Sequence, residues 1–212
     1  LLLPLAVSSV VMSLTTNAPR FLIDLVLGPA ELGFFAAVSH FVVVGAVATG
    51  SIGHAILPVL AETIRNQRER EFWLQLIGIM VVIQVACGAG IVASVFFGGE
   101  ILRLLYGDAF AGQAALMTAA AVAAGPVYCA SIAANGCYAA GLRQGLLISQ
   151  LIALLTVMLL TLLALRSWGN FGAFGAMLAA GIVQLAFCLF FLQRFWRRHR
   201  KQEQHALTRS RN

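Results

Sequence analysis

Few side chains in this sequence can do chemistry, and the densest group of them shares one face of one helix. Ser9, Ser13, Thr16, Asn17, Arg20 and Asp24 fall on the same side at 100° per residue, a polar stripe along an otherwise apolar stretch. An arginine inside a membrane span costs about 2.5–3.5 kcal/mol, so it is expected to face a bundle interior or a wet cavity and to have a partner. Asp24 lies at i+4, within reach of such a pair. Two readings stand side by side. Arg20 and Asn17 bind an anionic substrate, with Asp24 as orienter or as an ion-coupled carboxylate. Alternatively, Arg20 snorkels to the interface and pairs with Asp24 for structure alone. Pro19 removes a backbone donor beside them and bends the helix.

His40 and His54 are fourteen residues apart, about 21 Å along a helix and within about 40° around it. They cannot share a metal ion. With Ser51 between them they form a face that either lines a hydrophilic path or supplies interhelical hydrogen bonds. Asn135, close to Pro126 and Gly136, is a further candidate cavity residue. For Gln75, Gln84, Ser131, Ser149, Gln150 and Thr156 the expectation is an interhelical hydrogen bond. Cys87, Cys129, Cys137 and Cys188 lie in apolar runs without CxxC spacing, so they read as small hydrophobes, with no metal site. The stretch Gly50-Ser51-Ile52-Gly53-His54 lacks the strand-turn-helix context of a nucleophile elbow, and no phosphate loop or nucleotide fingerprint occurs. The sequence therefore reads as a non-enzyme without cofactors.

The elements that carry these residues are membrane helices. Of 212 residues, 60% are hydrophobic and 10% charged, against about 25% charged in a soluble domain. Too few charges exist to cover a water-exposed surface. The net charge of +6 gathers at segment ends rather than interleaving with aromatics, which argues against nucleic acid as a partner. A span needs about 20 apolar residues. Six such runs are expected, over about 1–27, 32–61, 72–97, 111–140, 146–165 and 171–192, with the third ending at Gly98-Gly99-Glu100 before a short amphipathic stretch, ILRLLYGDAF. The division is a six-helix transmembrane lobe, 1–193, and a basic cytoplasmic tail, 194–212. The tail, the loop with Arg65, Arg68 and Arg70, and Arg143 hold eleven of the fourteen bases, which places both ends in the cytoplasm. Gly172, Ala176 and Ala180 form a small-xxx-small stripe for close helix packing, and WRRHRK anchors the last helix at anionic lipid headgroups. Leu1 opens inside an apolar run with neither Met nor a signal-peptide pattern, so the sequence reads as part of a longer protein.

Several stretches together carry a family resemblance over essentially the whole chain. NAPRFLIDLVLGPAELGFFAAV resembles the seventh helix, turn and eighth-helix start of bacterial polysaccharide-biosynthesis flippases. HAILPVLAE is similar to their P-x-L-A helix ending, ILRLLYGDAFAGQA to their external ILxLLYGxxF element, GCYAAGLRQ to a small-small-G-R turn, and WGNFGAFGAMLA to the start of the last helix. The resemblance implies an all-α polytopic fold, the C-terminal six-helix lobe of a 12- to 14-helix protein of the multidrug, oligosaccharidyl-lipid and polysaccharide exporter superfamily. It implies a bacterial inner-membrane flippase moving an oligosaccharide on an isoprenoid pyrophosphate. Its partners would be membrane lipids, a missing N-terminal lobe, and a glycan polymerase or glycosyltransferases. The rival within the superfamily is a small-molecule exporter, whose cavity should favour acids and aromatics over a lone arginine.

Overall fold

The computed structural model describes residues 3–209, with side chains described for residues 10, 11 and 13–200. All regular structure there is helical: α1 Leu3–Leu27, α2 Pro29–Arg65, α3 Glu69–Tyr106, a 3₁₀ turn Asp108–Gln113, α4 Ala114–Ala139 and α5 Arg143–Arg209. Gly28 separates α1 from α2, and Pro29 opens α2 at a position where its missing N–H costs nothing. Four stretches are long and apolar enough to cross a membrane: Pro29–Arg65, Glu69–Tyr106, Asp108–Ala139 and Arg143–Arg200. The outward surface matches that reading. Phe21, Leu25, Val44, Phe96, Leu104 and Leu163 are each more than two-thirds exposed, a surface compatible with lipid and not with water.

Helix α5 is broken where the sequence expects its last loop. Gly169 sits at φ 54°, ψ −139°, a conformation essentially restricted to glycine. The limbs on either side, 143–168 and 170–209, fold back on one another. Gly172 packs on Ala164, Ser149 meets Cys188, and Gly145 lies under the ring of Phe191, so the paired positions recede symmetrically from Gly169. The small stripe serves this pairing: Ala176 and Ala180 are buried together with Ala153 and Val157 of the first limb. Two boundaries differ from the sequence expectation. Helix α3 does not stop at Gly98-Gly99 but runs on through ILRLLY, because those glycines face the following turn. A Cβ on Gly99 would come within 3.0 Å of the Ala111 carbonyl oxygen. The second limb likewise continues through the basic tail to Arg209.

Helix α4 is central, with half of its apolar window buried against 11% for α3. Its small buried residues, Ala120, Ala123, Ala124, Ala133 and Ala134, let neighbours close in. A methyl on Gly181 would strike the α4 backbone at Pro126–Val127. Buried aromatic contacts join helices within the core: Phe35 of α2 stacks on Phe174 at 4.7 Å, and Phe72 of α3 meets Trp196 at 5.6 Å.

The break at Gly169 is held by one polar clamp. Asn170 Nδ2 donates to the Glu31 backbone oxygen at 3.0 Å and to Glu31 Oε2 at 2.7 Å. Glu31 itself lies in the first turn of α2, where the helix dipole favours an anion. Asn170→Ala removes a buried hydrogen bond to a charged acceptor, so thermal unfolding of the detergent-solubilised protein should show a loss of about 1.5–3 kcal/mol. Glu31→Gln, which keeps an acceptor, should lose less; equal losses would mean the carboxylate charge is what holds the clamp.

Candidate functional site

A cavity with polar walls lies beside Arg20. It has a volume of about 170 Å³ and is bounded by α1, α2, α4 and both limbs of α5. Each wall follows from local helix geometry. Side chains in a helix lean toward its N-terminus, so Arg20 extends along the Thr16 side of α1, and both residues line the cavity. The same lean carries the guanidinium away from Asp24. It meets α2 instead, where Nη2 donates to Ser39 Oγ at 3.1 Å, and Ser39 in turn donates to the Ala36 carbonyl at 3.0 Å. Arg20 Nε is buried and has no hydrogen-bond partner. The expected Arg20–Asp24 pair is therefore replaced by Arg20–Ser39. Asp24 is exposed, and the three ion pairs among the described residues lie elsewhere.

The remaining polar walls are Thr15, Thr49, Tyr128, Ser131, Gln150 and Gln184. No acidic side chain is among the described residues of the lining, so the arginine charge is not neutralised within the cavity. Donors and a lone cation suit an anionic or hydroxyl-rich guest. Tyr128 also borders a second, almost wholly apolar cavity of about 470 Å³ between α2, α3 and α4. Its hydroxyl donates to the Val42 carbonyl at 2.6 Å, an approach possible only because residue 45 lacks a side chain; a methyl there would overlap the tyrosine ring.

Of the other residues singled out in the sequence, Ser131 and Gln150 line this cavity, while Asn17, His40, His54 and Asn135 lie apart from it. Asn17 donates to the Ser13 carbonyl at 2.9 Å on its own helix. His40 and His54 are exposed on α2. His40 Nδ1 is 3.2 Å from the Ala36 carbonyl; a carbonyl only accepts, so the proton belongs on Nδ1. Asn135 bonds to the Ser131 carbonyl at 3.0 Å and packs against Gly53. Two of the residues expected to form interhelical hydrogen bonds bond within their own helix, Ser149 meeting Cys188 of the other limb as well. Thr156 donates to the Ile152 carbonyl and Ser149 to that of Leu146, since the carbonyl one turn back is in reach of a short side chain without any partner helix. Ser9 lies outside the described side chains. Ser39, Thr49, Tyr128 and Gln184 were not picked out by the sequence; a single glutamine in the middle of an apolar span is the one signal that pointed to them.

These features define an all-helical membrane-type bundle enclosing a cationic cavity. Half of the chain is similar to a capsular polysaccharide biosynthesis protein, CapF of Staphylococcus aureus, with 32% identity over 111 residues. The matched stretch covers 52% of this chain and 28% of that protein. No family model and no solved structure matches the chain.

Tyr128→Phe should cost about 0.5–1.5 kcal/mol, one neutral hydrogen bond. Gly45→Ala should cost more, about 1–3 kcal/mol, because it overpacks the same contact. Thermal unfolding of the purified protein measures both, and a silent Gly45→Ala would show that the two helices are not held at this distance.

Proposed function

We propose that this chain is one six-helix lobe of a flippase of the multidrug, oligosaccharidyl-lipid and polysaccharide exporter superfamily, and that it helps carry an isoprenoid-pyrophosphate-linked oligosaccharide across the bacterial cytoplasmic membrane. The observation that carries the reading is Arg20, a cation held in an acid-free polar cavity inside an apolar bundle. An exporter of cationic molecules would need the opposite charge there. The six-span reading is supported by the length of α1 and by the break of α5 into two limbs at Gly169. With both ends and most bases in the cytoplasm, Arg20 lies toward the outer half of α1.

In this reading the exposed polar faces belong to the route. Asn17 and Asp24 stand on α1 beside Arg20, and His40, Ser51 and His54 follow one another along α2, all on surfaces that polar groups at bilayer depth would not present to lipid. They face a second lobe across the translocation path, and Asn135 lines the bundle behind them. The lobe itself performs no bond chemistry. Glycosyltransferases or a polymerase supply and consume its substrate, and an ion gradient drives the cycle.

Full-length protein carrying Arg20→Ala, tested for restoration of surface polysaccharide in a deletion strain at matched protein level, should export at least about tenfold less, the equivalent of about 1.4 kcal/mol. Arg20→Lys, which keeps a point charge but loses the guanidinium fork, should recover part of it. Undiminished export by Arg20→Ala would overturn the assignment of the cavity, and a silent His40→Asn/His54→Asn double variant would remove the α2 face from the route.

A further inference from the structure

The end of the bundle at which the bases gather carries a different cavity system. Trp73 of α3 stands between two open grooves of about 450 Å³ each, within the usual size of a ligand site. On one side the groove is rimmed by Arg70. On the other, the second limb of α5 supplies Arg197 and Arg200 above an apolar floor of Met80 and Leu189. Glu69 borders both grooves and pairs with Arg200 at 3.1 Å. Three guanidinium groups thus face one carboxylate, and the rim keeps an excess of positive charge.

The order of chemistry along the groove is that of a phospholipid. Guanidinium groups at the rim match a phosphate, an indole follows at headgroup level, and aliphatic side chains continue inward. From Glu69 to Met80 is eleven residues, about 16 Å of helix, which is about half of a 30 Å hydrocarbon core and so the depth of one leaflet. A soluble phosphate would use only the rim. We propose that this groove is a binding site for an anionic phospholipid, its phosphate against Arg197 and Arg200 and its acyl chains on either side of Trp73. The site rests on the membrane character of the bundle and is independent of the reading of Arg20.

Native mass spectrometry of the full-length protein, titrated with phosphatidylglycerol or phosphatidylcholine, tests it. The wild type should retain phosphatidylglycerol about tenfold more tightly than phosphatidylcholine. Arg197→Gln/Arg200→Gln should abolish that preference. Arg65→Gln/Arg143→Gln, which removes the same charge from residues outside both grooves, should keep it. Glu69→Gln breaks the ion pair but leaves the cations, so it should hold phosphatidylglycerol as well as the wild type or better. Four outcomes overturn the proposal. They are equal retention of the two lipids, equal loss in both arginine double variants, a loss in Glu69→Gln matching that of Arg197→Gln/Arg200→Gln, and displacement of phosphatidylglycerol by millimolar inorganic phosphate.

Discussion

Inside a bilayer no water is at hand to receive a stray hydroxyl or amide proton, and that constraint decides where most polar side chains of this bundle go. Thr15, Thr49, Ser51, Thr118 and Thr156 each donate to the carbonyl four residues back, and Thr63, Ser94 and Ser149 to the one three residues back. Asn17 and Asn135 do the same with an amide. Each helix thereby silences its own polarity. What remains for holding the helices together is chiefly shape: alanines along α4, glycines wherever two backbones or a backbone and a ring must approach, and a few buried aromatic contacts.

Against that background the polar bonds that do cross between helices stand out by position. Asn170 to Glu31 ties the broken helix to the start of α2, and Tyr128 to Val42 ties α4 to the middle of α2. Arg20 to Ser39 ties α1 to α2 but leaves Arg20 Nε buried without a partner. The first two are structural, although Asn170 Oδ1 is also buried without a partner. The third is incomplete, and incompleteness of a cation in low dielectric is costly unless something else neutralises it. Its charge separates Arg20 from the other buried atoms left without a partner, Gln75 Oε1, Thr161 Oγ1, Asn170 Oδ1 and Trp196 Nε1.

Much of the architecture was legible in the residues because apolar length and a few breakers encode it. The Gly28-Pro29 junction, the turn at Gly141 and the break at Gly169 fall where the apolar runs end. Gly98 and Gly99 misled for a physical reason. A glycine that permits close packing and a glycine that ends a helix look alike until the neighbour, here Ala111, is known. The site was legible only on α1. Helical periodicity puts Arg20 and Asp24 on one face, yet it carries no information about α2, so Ser39 could not be foreseen as the partner. Gln184 and Tyr128 reach the same cavity from segments far apart in sequence. That convergence is a property of packing and not of any local pattern.

The doubling back of α5 also bears on how the chain assembles. The contacts of Gly145, Ser149 and Gly172 between its limbs join residues whose separation along the chain shrinks steadily toward Gly169, so each contact shortens the loop to be closed by the next. The hairpin can zip from its bend outward by local contacts alone, the kind of topology that folds quickly. Helix α4 then finds a preformed, small-residue surface to dock against, with Gly181 marking the point of closest approach. The last third of the chain is in this sense a template laid down in advance, on which the earlier helices are arranged.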